Sequence, residues 1–321
     1  MNGQGVASEL SGISVVIPCY RTPGTLHRVC EQLVEHVAPL ATELELVLVD
    51  DGSPDDTWSR IVEVVEAHDW VRGLRLSRNY GQHNALLAGL RAASHPVVIT
   101  MDDDLQNPPS EVPRLVAALG DDVDLVYGTP VAETQSAFRN LASVGTKRIM
   151  SKLLGPEVNA KMSAFRVFRR RLLSGSELTN DPYVSIDVLL SWATTKVAVV
   201  EVEFDRREEG TSGYTIGKLI RHAFNMVTGY STRPLRTVSA LGFAISAFGF
   251  ALLVYVLARF AIEPTDVEGF TFLATAISLF SGVQLLSLGV VGEYLARMHF
   301  RTMGRPAYAV RDEIGSSPDI D

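Results

Sequence analysis

The chain contains 321 residues, of which 46% are hydrophobic and 21% are charged, and this composition excludes an intrinsically disordered protein. A formal net charge of −8 argues against general binding to nucleic acid, and two cysteines are too few for a disulfide scaffold or a cysteine-rich zinc module. Residues 1–12 carry neither the basic nor the apolar region of a secretory signal, so we expect a flexible N-terminus that stays in the cytoplasm.

Residues 13–205 alternate strand-length apolar runs with stretches long enough for a helix. Such alternation predicts a mostly parallel sheet that is covered by helices on both faces. Ligands of these sheets bind beyond the carboxyl ends of the strands, so we expect the functional residues there. The predicted strands span residues 13–18, 44–50, 72–77, 96–102, 123–128 and 197–204.

Clustered carboxylates follow two of these strands, as DDGSP at residues 50–54 and as DDDLQNPP at residues 102–109. Adjacent acids repel one another unless a cation or a hydrogen-bond donor neutralises them. Oxygen ligands without a cysteine or histidine cluster favour Mg²⁺ or Mn²⁺ over Zn²⁺. If the strand geometry continues, Asp102, Asp104 and Gln106 project to one side, where they can bind the ion. For residues 50–54 alone, a plain turn is the alternative, because Asp-Gly and Ser-Pro favour turns.

Two polar segments further along the chain have a composition that suits phosphate groups. On a predicted helix, Arg139, Lys147 and Arg148 form a cationic patch that suits a phosphate acceptor, and the alternative is a solvated helix face. Residues 206–214 are polar and glycine-rich, which predicts a mobile loop over the site, and the alternative is a plain linker.

The C-terminal third contains two uncharged apolar stretches, at residues 237–258 and 270–292. Each exceeds the roughly 20 residues that a helix needs to cross a bilayer, which predicts a transmembrane hairpin within residues 233–300. Arginines flank the hairpin and acids occupy its connecting loop, so both of its ends are expected in the cytoplasm. A pair of buried core helices is the alternative.

The segments on either side of this hairpin are also predicted to lie on the cytoplasmic face. Residues 215–232 place their apolar side chains on one helical stripe, which predicts an amphipathic helix at the membrane surface. The alternative is a helix that faces the protein core. Residues 301–321 are interpreted as a cytoplasmic tail.

Sequence motifs distributed over nearly the whole chain carry a family resemblance. They are VVIPCY (15–20), VDDGSPDD (49–56), RNYGQH (78–83), DDDLQNPPSEVPRLV (102–116), FRNLAS (138–143), R-x-x-G-x-S (207–212), PLR (234–236) and GEYLARM (292–298). With these motifs the chain resembles the family 2 glycosyltransferases of the GT-A fold, in the branch that transfers sugars to polyprenyl phosphates. DDGS is moderately specific for the superfamily, whereas NYGQH with DLQNPP and two C-terminal spans is specific for the branch.

The resemblance implies a GT-A glycosyltransferase domain at residues 13–205 and a role for each matching residue. Asp102, Asp104 and Gln106 would hold the divalent metal, and Arg207 with Ser212 would close a loop over the diphosphate. Asp102, Asp104 and Arg207 would be the catalytic residues. The nucleotide sugar would be bound by Pro18, Tyr20, Val49, Asp50, Asp51, Asp102, Asp103, Arg207 and Ser212.

The same resemblance implies that Arg139 and Ser143 hold the phosphate of the acceptor lipid. His83 belongs to the NYGQH motif, but no chemistry is assigned to it. The expected cofactor is Mg²⁺ or Mn²⁺, and the expected partners are a nucleotide sugar, polyprenyl phosphate and membrane lipids, with no nucleic acid. A homo-oligomer is also expected, and the resemblance implies a tetramer.

The sequence as a whole predicts an inverting transfer of a sugar from a nucleotide diphosphate sugar, taken to be UDP-linked, to polyprenyl phosphate. The expected location is the bacterial inner membrane, with the catalytic domain in the cytoplasm. One alternative is a processive polysaccharide synthase, but Trp192 lacks the Q-x-x-R-W context of such enzymes. Another alternative is a non-catalytic membrane scaffold that retains the fold, which the intact Asp102, Asp104 and Arg207 disfavour.

Overall fold

The computed structural model describes residues 10–130, 163–174, 185–203, 233–262, 269–303 and 306–315, and every structural statement below concerns these residues. The chain divides into two compact units. One unit comprises Met1–Tyr214 together with Gly304–Asp321, and the other comprises Thr215–Met303. The residues after the second unit therefore belong to the same unit as the predicted catalytic domain.

An eight-stranded sheet forms the centre of the first unit. Its strands, in chain order, are β1 (Ile13–Cys19), β2 (Leu44–Asp50), β3 (Val71–Leu76), β4 (Val97–Thr100), β5 (Leu125–Pro130), β6 (Arg166–Arg169), β7 (Val197–Val202) and β8 (Val310–Ile314). They lie in the order β7-β5-β6-β4-β1-β2-β3-β8. Strand β1 pairs in parallel with β2 and β4, β2 with β3, and β5 with β7. The predicted mostly parallel sheet is thus confirmed.

Two strands that the sequence analysis did not predict run antiparallel to their neighbours. Strand β6 lies between β4 and β5 and pairs with both of them. Strand β8 pairs with β3 at one edge of the sheet. Residues 301–321, interpreted from the sequence as a tail, therefore contribute a strand to the sheet of the first unit.

Helices cover both faces of this sheet. They are α1 (Leu26–His36), α2 (Thr57–Ala67), α3 (Gln82–Ala92), α4 (Val112–Ala117), α5 (Arg171–Ser174) and α6 (Ile186–Ala193). One apolar core lies between the sheet and helices α1, α2 and α4, and a second core lies between the sheet and helices α3, α5 and α6. Two short 3-10 helices, Ala38–Leu40 and Pro109–Glu111, complete the described part of this unit.

Alternate residues of the central strands supply the two cores, because successive side chains of a strand point to opposite faces. Leu48 of β2 contributes to the first core, and Val49 contributes to the second. On the second face α3 lies very close to the sheet, since a Cβ on Gly89 would come within 2.3 Å of Val16 Cγ1. Only glycine permits this approach, which fixes α3 against β1.

The second unit contains two long helices, α7 (Arg233–Ile262) and α8 (Phe270–Thr302). They cover the two apolar stretches from which the sequence predicts membrane spans. Within the residues that the structure describes, neither helix has a stretch that is both long and apolar enough to cross a membrane. The transmembrane hairpin therefore stays a prediction.

Candidate active site

A cavity of about 290 Å³ lies at the carboxyl ends of β1, β2 and β4, where the sheet topology places a ligand site. Three neighbouring parallel strands bring their terminal residues to this edge, and Cys19 of β1 pairs with Asp50 of β2. The loops that follow these strands, and the loop after β3, supply the walls. The cavity is lined by Pro18, Cys19, Tyr20, Asp51, Asn79, Gly81, Gln82, Asp102, Asp103 and Asp104.

Asp51 joins two of the loops that line this cavity. Its Oδ1 accepts a hydrogen bond from the backbone N–H of Tyr80 at 2.7 Å, and its Oδ2 accepts one from the N–H of Gly81 at 2.8 Å. Burial raises the pKa of the Asp51 carboxyl to about 6, although both N–H groups act in the opposite direction. Asp51 therefore fixes residues 79–82, which we call the NYGQ loop, against the end of β2.

Asp50, although adjacent in sequence, faces away from the cavity and is fully buried. Its Oδ1 accepts a hydrogen bond from the N–H of Ser53 at 2.9 Å, and its Oδ2 lies 3.4 Å from Nε of Arg75. Val49 is also fully buried, in the core beneath α3. Asp50 and Val49 were both predicted to bind the nucleotide, but neither lines the cavity. The side chain of Asp50 lies beside Arg75, and that of Val49 packs in the core under α3.

Residues 50–53, the DDGS turn, lie directly against the chain that follows β3. Gly52 has a φ of +65°, and a Cβ at this position would lie 2.4 Å from the backbone carbon of Arg78. Both the left-handed backbone and the close approach require glycine. These residues lead from the end of β2 towards the NYGQ loop, and Asp51 among them lines the cavity.

The three acids after β4 differ in their surroundings. Asp103 turns towards the loop between β1 and α1, where its Oδ2 accepts hydrogen bonds from the N–H of Tyr20 at 3.3 Å and from the hydroxyl of Thr22. Its carbonyl oxygen accepts a third hydrogen bond, from the hydroxyl of Thr25 at 2.7 Å. Burial raises the pKa of the Asp103 carboxyl to about 6. Asp103 thus fastens the β1–α1 loop.

Asp102 and Asp104 also line the cavity, on either side of Asp103. The side-chain amide of Gln82 donates a hydrogen bond to Asp102 Oδ1 at 2.6 Å, and the N–H of Gln106 donates one to Asp104 Oδ1 at 3.1 Å. Leu105, with a φ of +57°, interrupts the extended chain. The strand geometry on which the predicted metal set depends therefore stops at Thr100, and Gln106 is not among the residues that line the cavity.

The donors at this cavity suit a hard divalent cation, because Asp102 and Asp104 provide carboxylate oxygens beside open space. In the described part of the chain, no group of three or more His, Cys, Asp or Glu side chains is arranged to hold a metal ion. An ion bound through two carboxylates would take its remaining ligands from water and from phosphate groups, as Mg²⁺ commonly does.

Four predicted site residues lie outside the described residues: Arg139, Ser143, Arg207 and Ser212. Their roles stay predictions. Conversely, the structure brings Asn79, Gly81 and Gln82 to the cavity, and the sequence analysis gave them no role. The available signal was their position, because the NYGQ loop follows a parallel strand at the same edge of the sheet.

A second buried polar group supports the end of β4 from the neighbouring strand β6. Arg166, which is 1% exposed, donates a hydrogen bond from Nε to Thr100 Oγ1 at 2.8 Å and forms an ion pair with Asp187. The hydroxyl of Tyr127 donates to the same carboxylate at 3.3 Å, and burial raises the pKa of this tyrosine. The group holds β4, β5, β6 and α6 together below the acids.

Comparisons with known proteins identify related sequences over nearly the full length. The family model described as "Glycosyl transferase family 2" matches residues 14–175. The undecaprenyl-phosphate 4-deoxy-4-formamido-L-arabinose transferase of Proteus mirabilis is 33% identical over 96% of this chain and 95% of its own. The protein of the same name from Klebsiella pneumoniae is 33% identical over 93% of this chain and 92% of its own.

Solved structures resemble 68% of this chain. Glucosyl-3-phosphoglycerate synthase of Mycobacterium tuberculosis, in complex with Mn²⁺ and UDP-glucose, has a TM-score of 0.50 and 22% identity. The match covers 68% of this chain and 77% of that one. A structure described as a mycobacterial protein has a TM-score of 0.51 and 23% identity, over 68% of this chain and 73% of its own. These likenesses establish a shared fold.

Proposed function

The chain belongs to glycosyl transferase family 2, and we propose that it transfers a sugar from a nucleotide diphosphate sugar to a polyprenyl phosphate. It is therefore a glycosyltransferase, with the GT-A-like fold that the sequence predicts. The observation that carries the proposal is the cavity at the strand ends, where Asp51, Asp102 and Asp104 meet. The acceptor class is suggested by relatives that are named for undecaprenyl phosphate and match almost the whole chain.

The cavity would take the nucleotide diphosphate part of the donor. Tyr20 is 42% exposed and lines the cavity, so its ring offers apolar surface to a base, and the buried Pro18 lines the same cavity. The backbone of the NYGQ loop and the carboxyl of Asp51 offer polar groups close by. We take the donor to be a UDP-sugar, for which the synthase solved with UDP-glucose is a precedent of the same fold.

A divalent cation would be held by Asp102 and Asp104, which provide carboxylate oxygens in the wall of the cavity. When bound, Mg²⁺ or Mn²⁺ would neutralise the negative charge that develops on the departing diphosphate. Arg207 and Ser212 would add positive charge and a hydrogen bond to the same group. Asp103 keeps the β1–α1 loop in place while the donor binds.

The acceptor phosphate is the nucleophile in the proposed reaction. One of its oxygens forms a bond to the anomeric carbon while the bond from that carbon to the nucleoside diphosphate breaks, and the configuration inverts. A phosphate monoester has a second pKa near ~6, so it is largely dianionic at neutral pH and needs little help from a general base. Arg139 and Ser143 would hold this phosphate by charge and hydrogen bonding.

We further propose that helices α7 and α8 span the inner membrane as a hairpin and that residues 215–232 lie at its cytoplasmic surface. Large apolar side chains on both helices are exposed, among them Phe243 at 78% and Leu285 at 69%. Strand β7 before this unit and strand β8 after it belong to one sheet. An even number of crossings, as a two-helix hairpin provides, would keep that sheet on one side of the membrane. Assembly into a homo-oligomer completes the proposal.

The test is transfer of label from a panel of radiolabelled nucleotide sugars to undecaprenyl phosphate, followed by extraction with organic solvent. We expect label in the lipid phase with one donor, dependent on Mg²⁺ or Mn²⁺. A labelled polymer in the aqueous phase would instead indicate a processive synthase. Nucleotide binding without transfer from any donor would indicate a non-catalytic scaffold, and either result would overturn the proposal.

A further inference from the structure

Strand β8 is joined to the sheet at both of its ends, with a shift in register between Arg75 and Leu76 of β3. It pairs with β3 from Gly73 to Leu76, and the N–H of Ser77 then donates to the carbonyl of Ala309 at 2.9 Å. Ala307, just before β8, is 1% exposed and belongs to the core under α3. The segment that follows helix α8 is therefore an integral part of the sheet next to the candidate site.

A buried arginine fixes the register of this edge. Arg72 of β3 lies between two carboxylates, with Nη1 3.1 Å from Glu45 Oε1 and Nη2 2.9 Å from Glu313 Oε1. The same Nη1 donates to the carbonyl of Ala92 at 2.8 Å. Because Arg72 is 7% exposed, loss of either carboxylate would leave a largely buried charge with less compensation. Glu313 thus ties β8 to β2 through β3.

A second arginine of β3 extends this connection towards the cavity. Arg75 lies between two carboxylates: its Nε is 3.4 Å from Asp50 Oδ2, and its Nη1 is 3.9 Å from Oδ2 of Asp312 on β8. Its guanidinium also lies over the ring of Trp58, 5.7 Å from the centroid. Among the described residues, Asp50 Oδ2 accepts no hydrogen bond, so Arg75 is the positive group that compensates this fully buried oxygen.

From Asp50 the contacts continue into the cavity wall. Asp50 Oδ1 accepts from the N–H of Ser53, and Ser53 Oγ accepts from the N–H of Arg21 at 3.2 Å. Arg21 has a φ of +60°, a conformation that a non-glycine residue adopts only when its surroundings hold it. Its neighbour Tyr20 lines the cavity and donates to Asp103. The DDGS turn is thus the link between β3 and the β1–α1 loop.

We propose that Arg75 is a positioning residue for the nucleotide site, and that Asp312 of β8 orients it. This inference rests on the proposed function, since it requires the cavity to bind a nucleoside diphosphate. In the proposed arrangement, Arg75 neutralises Asp50, and Asp50 in turn keeps Ser53 where it can support Tyr20 and Arg21. Nucleotide affinity then depends on a strand that the chain forms only after helix α8.

The test uses the full-length chain with UDP and Mn²⁺ as the probe. We expect Arg75→Ala to raise the Kd for UDP about tenfold, because the buried Asp50 loses its counter-ion and the turn relaxes. Asp312→Asn removes the charge of the carboxylate that lies further from Arg75, and it should raise the Kd for UDP about threefold. The KM of the donor should rise in the same proportion, while the KM of the lipid acceptor and kcat should change little.

Three further variants separate positioning from general stability. Arg60→Ala removes the arginine of an exposed pair with Glu63 on α2 and should leave the Kd for UDP unchanged. Arg75→Lys keeps the charge beside Asp50 and should restore part of the affinity. Arg75→Ala combined with Asp312→Asn should bind no more weakly than Arg75→Ala alone, since both act through one contact.

The outcomes distinguish this inference from the proposed function. If the unmodified protein binds no nucleoside diphosphate, the proposed function is wrong at its donor site, and the inference is overturned with it. If the unmodified protein binds UDP and Asp312→Asn binds it equally well, the role of β8 is wrong while the proposed function stands. A melting temperature lowered without any change in the Kd or donor KM would identify Arg75 as a purely structural residue.

Discussion

The acidic segments after β2 and after β4 look alike in sequence, but their carboxylates have different partners in the protein. Asp50 and Asp51 after β2 are both buried and are held by Arg75 and by backbone N–H groups. After β4, Asp103 binds the β1–α1 loop, while Asp102 accepts a hydrogen bond from the Gln82 side chain and Asp104 accepts one from the N–H of Gln106, and all three line the cavity.

This difference separates two functions that a row of acids can have. A carboxylate that accepts hydrogen bonds from N–H and hydroxyl groups of two loops connects those loops, and its removal disturbs them. A carboxylate beside open space can bind a cation, and its removal relieves repulsion from its neighbours. The same Asp→Asn change should therefore have opposite consequences for stability in the two groups.

The largest effect on turnover is expected for Asp104→Asn. The amide keeps the shape of the side chain but removes the negative charge that holds a hard divalent ion, so kcat should fall by at least about 100-fold. The melting temperature in EDTA should stay the same or rise, since one of three adjacent acids has been neutralised. Turnover with Mn²⁺ and thermal unfolding with and without Mn²⁺ provide the measurements.

A matched control for this variant is Asp122→Asn, because the side chain of Asp122 is fully exposed and lies outside the cavity. Its turnover should equal that of the unmodified protein. Near-normal turnover of Asp104→Asn with unchanged metal dependence would mean that Asp104 is not a ligand.

The largest effect on stability is expected for Asp51→Asn. One amide nitrogen would then face a backbone N–H in place of an oxygen, so the NYGQ loop would lose one of two charge-assisted hydrogen bonds, at a cost of about 2 kcal/mol. For a unit of this size the melting temperature should fall by about 4–8 °C. Thermal unfolding measures the effect, and a melting temperature equal to that of Asp104→Asn would remove the distinction between the two segments.

A smaller loss of stability is expected for Asp103→Asn. This variant tests the acid of the second segment that binds the β1–α1 loop. The amide oxygen can still accept one hydrogen bond from the β1–α1 loop, so the cost should be about 1 kcal/mol and the melting temperature should fall by about 2–4 °C. The comparison with Asp104→Asn is made in the same thermal scans. If Asp103→Asn raises the melting temperature, the hydrogen bonds of Asp103 to Tyr20 and Thr22 do not offset its repulsion from Asp102 and Asp104.

A further expected effect is a pH dependence that arises from Asp51. Burial raises its pKa from 3.8 to about 6, so the folded state holds the proton more tightly than the unfolded state does. Between pH ~4 and ~6 the unfolded state has already lost this proton, and the free energy of unfolding contributed by Asp51 falls as the pH rises. The melting temperature of the unmodified protein should therefore fall relative to that of Asp51→Asn across this interval. If the melting temperatures of the two proteins change in parallel with pH, the raised pKa does not belong to Asp51.

The sequence located most of the sheet because six strands carry strong apolar runs. The predicted run at residues 44–50 coincides with β2, and the run at residues 13–18 differs from β1 by one residue. Strand β6 was missed because its four residues include two arginines, and one of them is buried only through its partners Thr100 and Asp187. Strand β8 was missed because VRDEI is largely charged, as an edge strand can be.

The location of the candidate site could also be predicted, but the partners of its acids could not. Parallel strands bring their carboxyl ends to one edge, so acids that follow β2 and β4 were expected to meet there. Which of these acids binds a loop depends on backbone conformation after the strands, such as the positive φ of Leu105 and of Arg21. These angles result from tertiary contacts and have no signature in the local sequence.

The position of β8 also governs how this protein can be made and shortened. Arg72 and Glu313 are 241 residues apart, so during synthesis the edge of β3 stays unpaired until helices α7 and α8 have left the ribosome. A chain cut before α7 would keep this edge open permanently, and an unpaired edge invites association with strands of other molecules. To obtain the sheet without the helices, residues 215–303 should be replaced by a flexible linker that retains β8 on the same polypeptide.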